Sequence, residues 1–218
     1  MLFIKLKWYS SQSPAMHDRI METLLRIARF YDKRKVGDRG FLGFRRSSDL
    51  SRLVACVSTL IQIGLLTPEA SSFLDMGCAD GRVNVLLSYL CAKSVGVELD
   101  EWTLEEYAGL RQELDTELVR EGRPLPPGNI FLFHGDTMDP GLHERIRQDT
   151  GLGFEDFDLF YTYLTMHEEF AGLINRKAKK GAVFMVYGLE RIFPRFEGLR
   201  LLTPLEPPEG MIALYQKE

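Results

Sequence analysis

Apolar residues in the first part of the chain recur at the spacing of amphipathic helices. One such run, led by Pro14 at the first helical position, carries Ile20, Leu24, Ile27 and Tyr31 on a single face. A second helical pattern begins near Ser48 and stops near Gly64, where a glycine is a common helix end. The sequence therefore predicts two helices within residues 1–67, which we interpret as an N-terminal helical extension.

From about Ser71 onward, short apolar runs alternate with helical stretches. We predict strands at 73–76, 94–99, 129–134, 157–163, 182–188, 199–202 and 211–215, and helices at 83–90, 101–121 and 166–179. Such alternation is typical of βαβ units that build a parallel sheet covered on both faces. The predicted fold is α/β: a doubly wound, mostly parallel seven-stranded sheet in residues 68–218.

The most informative local pattern lies where the first predicted strand ends. Asp75 is followed by Gly77, Ala79 and Gly81, and a helical pattern begins directly afterwards. Small residues allow a tight turn and a close approach of backbone to a ligand, and the helix N-terminus offers free N–H donors. The spacing is not the G-x-G-x-x-G of dinucleotide-binding proteins, and no P-loop lysine follows. A tight turn without a ligand is the alternative reading of this segment alone.

Acidic residues also end the next two predicted strands. Glu98 closes the second strand, where an acid is well placed to accept hydrogen bonds from both hydroxyls of a ribose. Asp100 by itself is explained as the start of a helix. Asp136 follows Gly135 at the end of the third strand, where it can accept a hydrogen bond from an adenine amino group, although Gly-Asp alone is also a common turn.

In order and spacing, these three strand ends resemble the class I, Rossmann-like methyltransferases that use S-adenosylmethionine (SAM). The resemblance covers about residues 71–218, and its Asp-Gly-Arg and Tyr-Leu segments are also similar to small seven-strand protein-lysine methyltransferases. It implies SAM as the cofactor, with the methionine end beside the first strand, the ribose on Glu98, and the adenine beside Leu99 and the third strand. The cofactor-binding residues expected from it are Asp75, Gly77, Cys78, Gly81, Glu98, Leu99, Asp136, Thr137 and Tyr161.

The sequence indicates less about the half of the site that would hold the methyl acceptor. Tyr161 and Tyr163, at the end of the fourth strand, are the candidates for a catalytic or positioning role, but they can equally be strand residues that pack under a helix. The segment 37–47 contains glycines, phenylalanines and arginines, and suits either a lid over the site or a linker. The acceptor is expected to be a protein or a small molecule.

Composition and charge narrow these readings. The formal net charge of −4 gives no protein-wide field for nucleic acid, but residues 29–52 hold eight Lys or Arg against three acids, so an RNA methyltransferase is the alternative. A further alternative is a non-catalytic module with the same fold. Three cysteines without CxxC spacing and four scattered histidines favour a reducing, cytoplasmic environment and no metal. No segment resembles a signal peptide or a membrane span, and an edge strand near the N-terminus leaves a homodimer open.

Overall fold

The computed structural model describes residues 14–37, 47–189, 193–202 and 212–218. The helices are α1 (Pro14–Tyr31), α2 (Leu50–Gln62), α3 (Arg82–Ser88), α4 (Glu101–Arg120), α5 (Pro140–Thr150) and α6 (His167–Lys177). The strands are β1 (Ser72–Asp75), β2 (Lys93–Glu98), β3 (Ile130–His134), β4 (Leu159–Tyr163), β5 (Val183–Tyr187), β6 (Leu199–Leu201) and β7 (Ile212–Lys217). A short 3₁₀ turn, Phe154–Asp156, precedes β4.

The seven strands form one sheet in the order β3-β2-β1-β4-β5-β7-β6. The neighbours from β3 to β5 are parallel, whereas β7 is antiparallel to both β5 and β6. The prediction of a mostly parallel, seven-stranded α/β sheet is therefore confirmed, with the refinement that the sheet is mixed at one edge. The strand order reverses at β1, the position at which open α/β sheets form a crevice beyond the carboxyl ends of their strands.

Alternating strand residues supply two apolar cores, one on each face of the sheet. One core contains Phe73, Leu159 and Met185 together with buried residues of α1, α2, α3 and α4. The other contains Leu74, Phe160 and Phe184 together with α5 and α6. Both faces of the parallel strands are consequently dry, which explains their nearly continuous apolar sequences.

The two N-terminal helices share a core with the sheet. Leu24 and Ile27 of α1 and Leu50 and Leu53 of α2 are almost completely buried in the same cluster as the strand residues. The carboxylate of Asp32 then accepts hydrogen bonds from the N–H groups of residues 50 and 51 and so caps α2. The proposed boundary between residues 67 and 68 stays a prediction, but this burial means that the extension contributes to the core.

Helix α5 was not predicted from the sequence. Only Leu142, Ile146 and Thr150 of this helix are buried, and its other positions are mostly charged, so the apolar periodicity is weak. Its start is set instead by Asp139, whose side chain accepts a hydrogen bond from the N–H of Gly141, and by Pro140 at the first position. Within the described ranges, no helix is long and apolar enough to cross a membrane.

Candidate functional site

A cavity of about 730 Å³ opens at the carboxyl edge of the sheet, where β1, β2, β3 and β4 end. Its volume lies in the range of about 300–1,000 Å³ that small-molecule sites occupy. The described residues of its wall are Val36, Met76, Gly77, Ala79, Val97, Glu98, Leu99, Asp100, Gly135, Asp136, Thr137, Thr162, Tyr163, Thr165, Met166 and Phe170. The strand ends that the sequence singled out thus meet at one cavity.

The loop after β1 forms one wall of this cavity. A Cβ added to Gly77 would meet no atom within 4 Å, so the backbone here faces open space, and any larger side chain would project into it. Ala79 has a left-handed backbone with φ of 50°, which is costly for a residue that carries a Cβ. Gly81 also has a positive φ and starts α3, but it faces the side chains of Tyr107 and Leu132 and is not among the wall residues.

Glu98 links the loop after β1 to the end of β2. Its side chain is 6% exposed, and its two carboxylate oxygens accept hydrogen bonds from the backbone N–H groups of Ala79 and Asp100, each at 2.9 Å. Each oxygen of a carboxylate can accept a second hydrogen bond. Glu98 therefore holds two walls of the cavity together and places its carboxylate in the wall, where it can interact with a ligand.

Asp75 lies behind the loop, in the interior. It is 1% exposed, and its Oδ1 atom has no hydrogen-bond partner among the described residues. Burial raises the pKa of Asp75 well above its ordinary value, and the negative charges of Glu98 and Asp80 raise it further, while the N–H of Gly77 opposes the shift. A buried acceptor of this kind is what a nearby ammonium or N–H donor would satisfy.

The side chains of Asp80 and Arg82 form a buried ion pair at the end of this loop. Their side chains are 1% and 3% exposed, and the guanidinium donates to the carboxylate from Nε at 2.9 Å and from Nη2 at 2.7 Å. Nη1 of Arg82 also lies 3.4 Å from the carbonyl oxygen of Tyr31, at the end of α1. The pair fixes the loop and ties it to the N-terminal helices.

Leu99, Asp136 and Thr137 form the wall opposite this loop. Asp136 accepts a hydrogen bond from the N–H of Met138, and Thr137 is buried below it. Nε2 of His143 lies 2.7 Å from the carbonyl oxygen of Thr137 and donates to it. Burial lowers the pKa of His143, as does the neighbouring charge of Lys177, and this favours the neutral ring, which supports this wall through its hydrogen bond to Thr137.

Tyr161 is packed in the interior, which is one of the two positions that the sequence left open for it. Residues 161 and 75 are register partners, so both side chains point to the face covered by α1, α2 and α3. Tyr161 is 1% exposed, its hydroxyl hydrogen-bonds Oγ of Ser48, and burial raises its pKa well above the usual range. It is absent from the cavity wall, as are Asp75, Cys78 and Gly81, which lie behind it or beside it.

Tyr163, in contrast, reaches the cavity. Its ring packs on that of Tyr187, with centroids 5.4 Å apart, and the hydroxyl of Tyr187 accepts a hydrogen bond from the N–H of Asp49 at 3.0 Å. The start of α2 is thereby attached to the ends of β4 and β5. Of the two candidate tyrosines, Tyr163 is the one with access to a bound molecule.

Several wall residues were not predicted. Val36 comes from the segment after α1, whereas Thr165 and Met166 come from the turn into α6 and Phe170 from the first turn of that helix. Met166 has a positive φ of 51°, an unusual conformation for a residue with a long side chain. The sequence around Met166 and around Val36 contains no ligand-binding motif, so these residues could not be predicted. The segment 38–46, which contains most of the predicted lid, lies outside the described residues.

No protein-family model matches the chain, and no curated protein matches it either. Similar folds occur among solved structures. A provisionally assigned methyltransferase from Escherichia coli is 16% identical, with 80% of this chain and 87% of that chain covered and a TM-score of 0.49. An RNA methyltransferase from Salinibacter ruber in complex with S-adenosylhomocysteine is 15% identical, with coverages of 75% and 89% and a TM-score of 0.45.

A tRNA (m1A58) methyltransferase from Aquifex aeolicus is 10% identical, with coverages of 74% and 67% and a TM-score of 0.47. Identities this low say nothing about substrate, so the function has to rest on the residues of the site. Among those that the structure describes, no three His, Cys, Asp or Glu side chains are placed to hold a metal ion.

Proposed function

We propose that this chain is a SAM-dependent methyltransferase with a protein or small-molecule acceptor. The observation that carries the proposal is the position of Glu98, whose carboxylate joins the glycine-containing loop to the end of β2 in the wall of a cavity of about 730 Å³. An acid at this strand end, beside an open backbone at Gly77, suits a nucleoside whose ribose and amino-acid portions lie along the two strands.

The residues of the cavity fit the parts of this cofactor. The backbone at Gly77 and Ala79, with Asp75 behind it, would hold the methionine portion, and Glu98 would accept hydrogen bonds from the ribose hydroxyls. Leu99 is 67% exposed and lies in the wall, where its side chain would pack on the adenine ring, with Asp136 and Thr137 beside it. Cys78 and Gly81 would act indirectly, since they shape the loop.

The cofactor would supply a methyl group on a positively charged sulfur, and a neutral thioether would leave. Because the leaving group needs no proton, the main task of the chain is to hold the nucleophile in line with the methyl group. Tyr163, Thr162 and Thr165 lie in the wall at the end of β4 and are the groups available to orient an acceptor. Tyr161 would contribute indirectly, because its hydrogen bond to Ser48 anchors the segment before α2.

Calorimetric titration with S-adenosylhomocysteine tests the cofactor assignment directly. Glu98→Gln keeps the size of the side chain but removes its charge and one acceptor, and we expect affinity to fall at least about tenfold, the effect of losing a hydrogen bond to a charged group. Glu105→Gln, an exposed position on α4, is the matched control and should bind normally.

Two results would count against the proposal. A correctly folded wild-type protein that binds neither SAM nor S-adenosylhomocysteine would favour a non-catalytic module. Equal losses in both variants would mean that Glu98 has no special role. Circular dichroism of each variant separates these outcomes from simple unfolding.

An RNA acceptor is the second candidate, because residues 29–52 are basic. Part of that charge is engaged within the chain, since Arg34 forms an ion pair with Glu113 and Arg52 with Asp49. If the stretch binds RNA, affinity should fall steeply with added salt. RNA binding that hardly changes with salt would argue against this reading.

A further inference from the structure

The loops that follow β1 to β4 carry mostly negative charges, whereas the wall residue Val36 follows the basic residues Lys33, Arg34 and Lys35. The loops that follow β1 to β4, at residues 76–82, 99–102, 135–140 and 164–169, contain seven acids: Asp80, Asp100, Glu101, Asp136, Asp139, Glu168 and Glu169. Their one basic residue of the Lys or Arg type is Arg82, which is buried and paired with Asp80. Within the described wall itself, the charged residues are Glu98, Asp100 and Asp136. A phosphate backbone would meet repulsion at this edge.

Apolar side chains are exposed at the same edge. Trp102 is 52% exposed at the start of α4, and Leu164 and Met166 are 39% and 41% exposed in the turn into α6. They flank the wall residues Leu99 and Tyr163 in the chain. Other apolar side chains, such as Ile63 and Val119, are equally exposed, but these three lie beside a cavity, where they are suited to contact with a partner. Leu164 and Met166 offer no ring on which a base could stack, whereas Trp102 does.

We infer that the methyl acceptor is carried by a positively charged polypeptide segment, which docks on a rim formed by Glu101, Trp102, Leu164, Met166 and Glu169. The inference rests on the proposed methyltransferase function and gives its acceptor a class. Lysine and arginine side chains of the segment lie against the acids, and their aliphatic stems or apolar neighbours cover Trp102 and Met166. An RNA acceptor predicts the reverse, a basic rim.

The rim offers two acids that can be neutralised without touching the cofactor site. Glu101 and Glu169 are exposed, each in the first turn of its helix, and neither lies in the cavity wall. Glu169 lies three residues, about one turn, after the wall residue Met166 and directly precedes the wall residue Phe170. Glu144 and Asp149 of α5 are equally exposed acids away from the rim, and they provide a matched control.

The experiment measures binding of a fluorescein-labelled oligolysine and of an RNA oligonucleotide of the same length, by anisotropy at low and at moderate salt. We expect oligolysine to bind in preference to RNA. The double variant Glu101→Gln/Glu169→Gln should weaken oligolysine binding about two- to thirtyfold, the sum expected of two exposed charge pairs. Glu144→Gln/Asp149→Asn should leave it unchanged.

Two results overturn the inference. RNA that binds as tightly as oligolysine would make RNA the partner. An equal loss in the rim and control variants would mean that oligolysine senses only the net charge of the chain. S-adenosylhomocysteine binding is measured on the same samples and should be equal in all variants. Its absence in the wild type would refute the methyltransferase proposal and with it the assignment of a methyl acceptor, whereas a loss of oligolysine binding confined to the rim variant would still show where the segment docks.

Discussion

Removal of the carboxylate at Asp80 should destabilise the protein severely. Asp80→Ala leaves the guanidinium of Arg82 only 3% exposed and without the carboxylate that binds it through Nε and Nη2. Breaking a buried pair by removing one partner costs about 3–5 kcal/mol, because an uncompensated charge stays buried. For a chain of this size, about 2–4 °C in Tm corresponds to each kcal/mol, so Tm should fall by about 6–20 °C.

The double variant Asp80→Leu/Arg82→Met separates the charge from the shape. An apolar pair of similar volume removes both desolvation penalties, and such replacements are often neutral. The carbonyl of Tyr31 keeps a partner when Arg82 is changed, since it also accepts a hydrogen bond from the N–H of Arg34 at 2.9 Å. We therefore expect the double variant to lie within about 2 kcal/mol of the wild type. The remainder is due to lost packing and to the loss of the hydrogen bond that Oδ1 of Asp80 accepts from the N–H of Arg82, the first residue of α3, at 3.3 Å.

Urea unfolding followed by circular dichroism measures the free energy of unfolding for the single variants Asp80→Ala and Arg82→Met and for the double variant. A coupling energy above about 1 kcal/mol between the two sites would agree with a buried pair. If Asp80→Ala costs less than about 1 kcal/mol, the pair is hydrated and the reasoning fails. If the double variant is as unstable as Asp80→Ala, backbone capping by Asp80 is the dominant effect and the ion pair is incidental.

Three further predictions concern residues in or next to the elements that form the cavity. Ala79→Gly should raise the free energy of unfolding by about 0.5–1 kcal/mol, because glycine tolerates the φ of 50° found there; a lower Tm in thermal unfolding would contradict this. Gly96→Ala should lower the free energy of unfolding, measured in urea, by about 1–3 kcal/mol. The reason is that a Cβ there would lie 2.5 Å from Oδ1 of Asn84 and 2.8 Å from Cβ of Cys78. Unchanged stability would show that these side chains can move aside. His143 has a lowered pKa in the folded protein, so the unfolded chain binds the proton more readily and the free energy of unfolding should fall as pH drops below about 6.5. His143→Gln should remove that part of the pH dependence. The same dependence of stability on pH in both proteins would contradict the lowered pKa.

The strand-end residues could be located from the sequence because of a geometric property of parallel sheets. Each parallel strand ends at the same edge, so Gly77, Glu98 and Asp136 approach one another although 21 and 38 residues separate them along the chain. A motif at the end of one strand therefore identifies a region of space, and a second motif at the end of the next strand supports it. Their roles toward a cofactor stay a prediction that calorimetry can test.

Within one strand, the sequence does not show which of two residues on the same face reaches the cavity. Tyr161 and Tyr163 both precede the turn into α6, and they point to the same face of the sheet, yet Tyr161 is 1% exposed and Tyr163 lies in the cavity wall. The difference arises because α2 begins above Tyr161, where Ser48 covers its hydroxyl, and leaves Tyr163 at the edge. No feature of β4 alone encodes where another helix begins, so this distinction required the structure.

The acceptor side of the cavity depends on such distant contacts throughout. Val36 follows α1, and its position requires that Asp32 cap α2 and that Arg82 reach the end of α1. These interactions join residues that are 18 and 51 positions apart along the chain. No local sequence pattern indicates either of them. The same contacts predict that the N-terminal helices cannot be removed without losing the site. A chain of residues 68–218 should expose Tyr161 and much of one core, and it should therefore aggregate or unfold when expressed alone. A stable, folded 68–218 fragment that binds S-adenosylhomocysteine normally would show instead that α1 and α2 are an independent appendage.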